Sequence, residues 1–425
     1  MTRWTGIALL IFASSLVLVP VARGFDEKSE AAAATENQPA DEKKADENTD
    51  EAKPADDKPA EDAKPAPRDP QEEWKASSER KREIAKRLQS LQGRFKTAPA
   101  DEQKSIREEY IDLLFEYRQV LVPQMSQLAK QIYEANPDDP EAAEFVLEEA
   151  YEANDYERAL EIANRLREGK APYQSIRKLA LNIAGASEFA RHDFEKAKQT
   201  LETALNEKLL DRRYGGTELL DQAGVYVKLW EDEQAVREKE AAAEGDDRLP
   251  RVVLRTNKGE VELELFENQA PNTVANFISL VEAKKYDGTK FHRVIPNFMA
   301  QGGDLTTAKD GQEPGYTIDC ESYRDDARKH FRGSLSMAHA GKDTGDSQFF
   351  LTVMPTYWLN GQLRPDTNHT VFGRITKGIE IVDGLKVDDT IESAEVLFKR
   401  DHEYKPKTKP VEKPEPSGDA KKSDK

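Results

Sequence analysis

The sequence predicts a multidomain chain in which an all-α, repeat-like region precedes a mainly β closed barrel, with disordered segments flanking both. Three observations predict it. Residues 25–70 consist largely of Ala, Glu, Asp, Lys and Pro. Apolar residues between 71 and 245 recur at three- and four-residue steps. Beyond Pro250 apolar and polar residues alternate in short runs. The predicted boundaries are 1–24, 25–70, 71–245, 250–400 and 401–425.

At the N-terminus, Arg3 precedes an apolar run, Ile7–Val19, and then Ala22-Arg23-Gly24. A cation, a short apolar stretch and small residues at −3 and −1 of a cut form the layout of a secretory signal peptide over 1–24. Export to the periplasm or the medium is therefore expected. The alternative is an uncleaved membrane anchor, although a bilayer span takes about 20 apolar residues. From 25 to 70 large aliphatics are absent, so the segment cannot bury enough apolar area to offset chain entropy and is predicted to be an extended tether. Residues 401–425 are expected to behave likewise.

The net charge of −18 opposes nucleic acid as a partner, because phosphate binding needs a basic face. Cys320 is the only cysteine, which excludes an intrachain disulfide and suits a small buried residue. The six histidines show no paired zinc spacing, and Gly302-Gly303 is too short for a phosphate loop. No metal and no cofactor are expected.

Within 71–245, Leu88, Leu91, Ile106, Tyr110, Leu113, Leu114, Tyr117 and Val120 fall on helical stripes. Asn154–Leu160 is similar to His192–Lys198, with Tyr156 and Phe194, and likewise Ala159 and Ala197, 38 residues apart. The pattern resembles tetratricopeptide helix pairs, whose period is about 34. An irregular helical bundle is the alternative. In the β region Val261, Leu263 and Leu265 alternate with Glu260, Glu262 and Glu264, as in a strand with one buried face. Pro271 suits the first turn of a helix whose stripe is Val274, Phe277, Ile278 and Val281. Strands are expected over 291–299, 334–338, 348–353, 370–375 and 391–398, and a second helix over 377–385. A closed barrel would leave no exposed edge.

Residues 291–304, Phe-His-Arg-Val-Ile-Pro-Asn-Phe-Met-Ala-Gln-Gly-Gly-Asp, carry the most chemistry. Arg293, Met299 and Gln301 share parity and so one face of an extended strand, while Phe298 is off that parity and would have to reach that face from an edge or a bend. A cation, an apolar surface and an amide suit a polypeptide with a small apolar ring. They do not suit bond cleavage, since no nucleophile stands among them.

Three further segments follow: Ser334–Gly341, Ser347–Thr352, and Trp358–Gly361 with His369–Gly373. In order and spacing the set resembles the cyclophilins, peptidyl-prolyl cis–trans isomerases, over about residues 251–398. The resemblance implies an eight-stranded barrel capped by two helices. It implies Arg293 as the catalytic group and Phe298, Met299, Phe350 and Leu359 as walls of a proline pocket. Gln301 and Gln348 would hold the substrate backbone, Ala338, His339 and Ala340 would pair with it, and Trp358 and His369 would border the pocket. His339 stands where many family members have Asn, and Asp346 where a small residue is commoner. Proline-containing polypeptides are the implied substrates, and cyclosporin-like ligands are implied as well. A folding catalyst for exported proteins is the function expected, with a protein partner for the helical region. A non-catalytic proline-peptide adaptor and an envelope scaffold built on the helices are the alternatives.

Overall fold

The structure, a computed structural model, describes residues 69–168, 173–308, 311–361 and 368–411. The expected signal peptide, nearly all of the expected tether, and residues 412–425 lie outside the described residues. Among the described residues no helix is long and apolar enough to cross a membrane. The chain forms two compact units, one ending at Leu121 and the other beginning at Val122.

The first unit is built from α1 (Pro70–Phe95) and α2 (Ala100–Phe115), continued by a π-helical stretch Glu116–Leu121. Pro70 opens α1 where a missing N–H costs nothing, and the Asp69 carboxylate accepts the Gln71 N–H. Trp74, Ile84, Leu88 and Leu91 of α1 are buried, as are Ile106, Tyr117 and Leu121. Arg80–Glu116 at 2.7 Å and Arg94–Glu102 at 2.6 Å tie the surfaces of the pair.

The second unit starts with α3 (Val122–Ala135), α4 (Pro140–Glu152), α5 (Tyr156–Glu168), α6 (Gln174–Ala190), α7 (Phe194–Asn206) and α8 (Gly216–Ala241), each packed on the next. Tyr156 and Phe194 are the first residues of α5 and α7, and both are buried with Ala159 and Ala197 one turn later. The two copies read from the sequence therefore occupy corresponding places.

The β region contains β1 (Arg251–Thr256), β2 (Gly259–Leu265), α9 (Pro271–Glu282), β3 (Arg293–Ile295), β4 (Met299–Gly302), β5 (Tyr316–Thr317), β6 (Ser334–Met337), β7 (Phe349–Thr352), β8 (Val371–Lys377), α10 (Ile379–Asp383), β9 (Ile391–Phe398) and β10 (Lys409–Pro410). Eight of the strands make one antiparallel sheet in the order β3-β4-β7-β6-β8-β2-β1-β9, curled around a core of Phe277, Tyr286, Phe291, Phe349 and Phe372. The barrel is not closed by a full ladder, as the sequence had suggested. β3 and β9 do not pair. The seam is one bridge, between Lys290 and Thr390, flanked by backbone bonds from Gly288 N–H to Ile391 O at 2.7 Å, Ile391 N–H to Thr289 O at 2.8 Å, Phe291 N–H to Asp389 O at 2.8 Å and Asp388 N–H to Phe291 O at 3.0 Å. A curled half-barrel describes the sheet better.

Three further expectations are corrected. The strand foreseen over 291–299 is a hairpin, because Pro296 has no N–H to donate and Asn297 takes a positive φ of 56°, so the chain reverses there. Glu264, expected on the solvent face of β2, is buried, because it bonds to Arg374 at 2.5 Å and to Arg251 at 3.2 Å beneath α8. Residues 401–411 fold back instead of trailing. Tyr404 is buried and donates to Glu267 at 2.7 Å, and β10 pairs with β5.

The helices of the second unit are fused to the β region through a buried aromatic cluster. Phe331 inserts among Trp230, Tyr226, His192 and Phe194, with ring centroids 5.0, 5.4, 5.8 and 6.3 Å away. Beside it lies a charge cluster. Arg328 bonds Glu233 at 2.6 and 2.9 Å and Glu240 at 2.5 Å, its guanidinium 3.8 Å from the Phe266 ring centroid.

Candidate functional site

The β3–β4 hairpin places Arg293 opposite Gln301 and Ile295 opposite Met299, so the three residues of shared parity still face one side. Arg293 is exposed. It donates to Gln301 Oε1 at 3.4 Å, and its guanidinium lies 6.0 Å from the Phe298 ring centroid. Phe298 comes from the bend, one of the two routes parity left open. After β4, Gly303 has a φ of 77°, and a Cβ there would meet Ser347 O at 2.8 Å and the Phe349 ring at 2.7 Å. Only glycine fits, and the turn sets β4 against β7.

Met299, Ala338 and Phe350 form one buried apolar cluster, with Ile295, Phe298 and Leu359 packed against it. The ring of Trp358 lies 5.4 Å from that of Phe298, extending the wall. Gln301 Nε2 donates to Gln348 Oε1 at 3.0 Å, which holds both amides at the same rim. The structure therefore brings together Phe298, Met299, Ala338, Phe350, Trp358 and Leu359, with the cation and two amides on their border, while Ala340 is exposed outside the cluster.

His369 joins this site although residues 362–367, just before it, lie outside the described residues. Its ring meets Phe350 edge-on at 5.5 Å and stacks on His339 at 3.9 Å. Its Nδ1 is 2.9 Å from Met337 O, which only a protonated Nδ1 can satisfy. His339 thus acts through its side chain as well as its backbone. In the segment expected to pair with a substrate, Ala338 N–H donates to Gln348 O at 2.9 Å and Ala340 N–H to Thr344 Oγ1 at 3.1 Å. A bound strand would use the remaining backbone groups. Asp346 accepts the Ser347 and Gln348 N–H groups at 2.5 and 3.1 Å and so shapes the turn. Cys320 is half-buried, burial pushes its thiol pKa up, and its Sγ accepts from Asp343 N–H.

Sequence reasoning missed a second ring of residues behind the pocket: His330, Asn360, Tyr226 and Asn154. His330 is fully buried and lies parallel to Phe350, with centroids 5.9 Å apart. The available signal was weak: a His-Phe pair between the cations Lys329 and Arg332.

Desolvation lowers the pKa of His330 to about 3 and that of His369 to about 4. Both are neutral in the fold near neutrality, whereas in the unfolded chain they protonate near 6.5. Between those values the unfolded state binds more protons. Stability is therefore fully present above about pH 6.5 and is lost as pH falls toward about 4 and then about 3. Denaturant midpoints measured from pH 7.5 downward are expected to drop most steeply below about pH 6.5. Substituting His369 by Gln should flatten part of that drop, and a midpoint constant down to about pH 4 would contradict the burial argument.

Among the described residues no group of three or more His, Cys, Asp or Glu converges as a metal site. The arrangement is a small apolar cluster flanked by one cation and two amides. It can grip a compact ring and donate hydrogen bonds beside it.

Comparison with known proteins gives a consistent pattern. The family described as cyclophilin type peptidyl-prolyl cis-trans isomerase/CLD matches residues 251–404. A Helicobacter pylori protein named peptidyl-prolyl cis-trans isomerase is 48% identical over 143 residues, which cover 33% of this chain and 82% of that one. Peptidyl-prolyl cis-trans isomerase B of Bacillus subtilis is 46% identical over 136 residues, 32% of this chain and 90% of that one. The mouse peptidyl-prolyl cis-trans isomerase-like 1 is 41% identical over 145 residues, 33% of this chain and 82% of the relative.

Proposed function

Because the chain belongs to the cyclophilin-type peptidyl-prolyl cis–trans isomerases, we propose that it speeds X–Pro rotation in exported polypeptides, assisting their folding, with Arg293 as catalytic group. The chemistry follows from the amide. Resonance imposes a barrier of roughly 18–20 kcal/mol, and uncatalysed exchange at X–Pro takes tens to hundreds of seconds. As the bond twists, the prolyl nitrogen regains its lone pair and becomes an acceptor. A guanidinium donating there binds the twisted state more strongly than the planar one, which is the condition for acceleration.

The observation that carries this reading is the convergence of Phe298, Met299, Ala338, Phe350 and Leu359 into one apolar cluster bordered by Arg293. The pocket would take the proline ring. Gln301 and Gln348 would hold the flanking backbone, and the groups left free along 338–340 would add a β-like contact. His369 and Trp358 would close the sides. With its Nδ1–H already donated to Met337 O, His369 acts as a wall and not as a base, and isomerisation transfers no proton. The helical region would hold clients or a partner protein, with residues 25–70 giving reach.

The direct test is a protease-coupled assay of the full chain on a short X–Pro peptide near 10 °C, where the uncatalysed step takes minutes. Acceleration in proportion to protein concentration is expected, with kcat/KM flat from about pH 8 to about pH 5, since His369 stays neutral across that window. A rate no faster than background would hand the groove to the non-catalytic adaptor reading.

A further inference from the structure

The walls of the pocket are held from behind by the helical region. The turn Tyr357–Leu359 carries Leu359 and Trp358. Tyr357 packs edge-on against Phe189 of α6, with ring centroids 6.3 Å apart. Asn360, the next residue, donates from Nδ2 to the Tyr226 hydroxyl of α8 at 2.8 Å, and that hydroxyl donates to His330 O at 2.9 Å. Asn360 Oδ1 accepts the His330 N–H at 3.0 Å and lies 2.7 Å from His330 Nδ1. This places the ring proton on Nδ1 and leaves Nε2 to accept from Ser336 Oγ at 2.9 Å. His330 in turn backs Phe350.

A second support comes from the loop between α4 and α5. Asn154 Oδ1 accepts the N–H of Asn297, the residue before Phe298, at 2.7 Å, and its Nδ2 donates to Asp383 O at 3.1 Å. The corresponding residue of the second copy, His192, accepts the Arg332 N–H at 3.1 Å through Nε2. Both loop residues have positive φ, 60° and 67°. The two repeat loops are thus shaped alike and both close on the β region.

Taking the isomerase reading as given, we propose that Tyr226 and Asn154 are positioning residues of the isomerase, fixing the Leu359, Phe350 and Phe298 walls so that substrate affinity depends on the helical region. Tyr226, Asn360 and His330 are all buried and satisfy one another. Without the Tyr226 hydroxyl, Asn360 Nδ2 and His330 O lose their partner away from water, and such groups are costly to leave unmade. The least expensive relief is a shift of the short turn that bears Leu359. Loss of the Asn154 amide frees the Asn297 N–H and with it the bend that presents Phe298. Neither change touches Arg293 or Gln301, so ground-state grip on proline should suffer more than the catalytic step.

The test uses the full chain. Tyr226→Phe keeps the ring in its aromatic cluster, and Asn154→Gly keeps the positive φ. Each is expected to raise KM for a short X–Pro peptide, and the Kd from titration of the Trp358 indole resonance, by roughly three- to tenfold. kcat should stay within about twofold, and Asn154→Asp, which retains an acceptor for Asn297 N–H, should recover most of the loss. Leu201→Ala serves as control: its side chain fills the α6–α7 contact at Gly185, away from these bonds, and should leave KM and Kd unchanged. Wild-type KM and Kd in the folded variants would overturn the proposal, as would an equal rise in Leu201→Ala. Should one variant fail to fold, the other decides. An inactive wild type would defeat the isomerase reading alone, because the Kd comparison still decides this one.

Discussion

Arg293→Ala is expected to lose roughly a hundred- to a thousandfold in kcat/KM, the range seen when one preorganised donor to a developing charge is removed. The loss should fall on kcat more than on KM, because the donated bond exists only once the amide twists. Stability should hardly change. Arg293 is exposed, its bond to Gln301 is long at 3.4 Å, and its distance to the Phe298 ring centroid is 6.0 Å. Contacts of this kind at a surface contribute about 0–1 kcal/mol. Arg293→Lys should recover little, since an ammonium is a flexible point charge and not a rigid planar fork. Rates measured beside a thermal melt check the whole claim. A mutant within threefold of wild type would remove Arg293 from the mechanism.

The second large effect is on stability. Arg328→Leu should destabilise the second unit by about 3–5 kcal/mol, the usual result of removing one partner from a buried charge cluster. The arginine side chain is 5% exposed and those of Glu233 and Glu240 are 6% and 7% exposed, so solvent cannot replace it. Burial alone would raise the Glu233 pKa, but the bonds and charge of Arg328 and Arg237 hold it below its ordinary value. A depressed carboxylate of this kind stabilises the fold above its unfolded pKa and loses that contribution only as pH falls through the lower, folded one. Denaturant unfolding of wild type, Arg328→Leu and the double variant Arg328→Leu/Glu233→Leu would measure this. The double variant should recover only part of the loss: it removes the unpaired Glu233 carboxylate but deprives Arg237 of its bond to Glu233 at 2.7 Å. A loss under about 1 kcal/mol in the single variant would mean that the cluster is effectively solvated.

Much of the site was legible because its residues lie close together in the chain and obey strand parity. Arg293, Met299 and Gln301 could be placed on one face from spacing alone, and Phe298 off it, at an edge or a bend. The hairpin itself was hidden. Pro296-Asn297 reverses the chain inside what reads as a continuous apolar run, and reversal preserves the parity on which the argument rested. Glu264 was misplaced because alternation reports which face is apolar, not whether a charged face is later buried with arginines from neighbouring strands, here Arg251 and Arg374. Tyr226 and Asn154 were invisible for a related reason. Their partners, His330 and Asn297, lie more than a hundred residues away in sequence. Tyr226 follows the helical periodicity around it, and Asn154, although it opens the repeated loop segment, shows nothing local that points to a partner in the β region.

The incomplete barrel has a consequence for how readily the sheet can recruit further strands. Its sheet has two free margins, and each is blunted. β3 is three residues long and runs straight into Pro296, which cannot extend a ladder. On β9, Ala394 N–H is capped by Asp287 at 3.0 Å and Ala394 O by Lys284 at 3.0 Å. Neither margin offers a long row of open backbone groups on which a stray strand could template. At high concentration the molecule should therefore resist edge-to-edge association with other copies of itself.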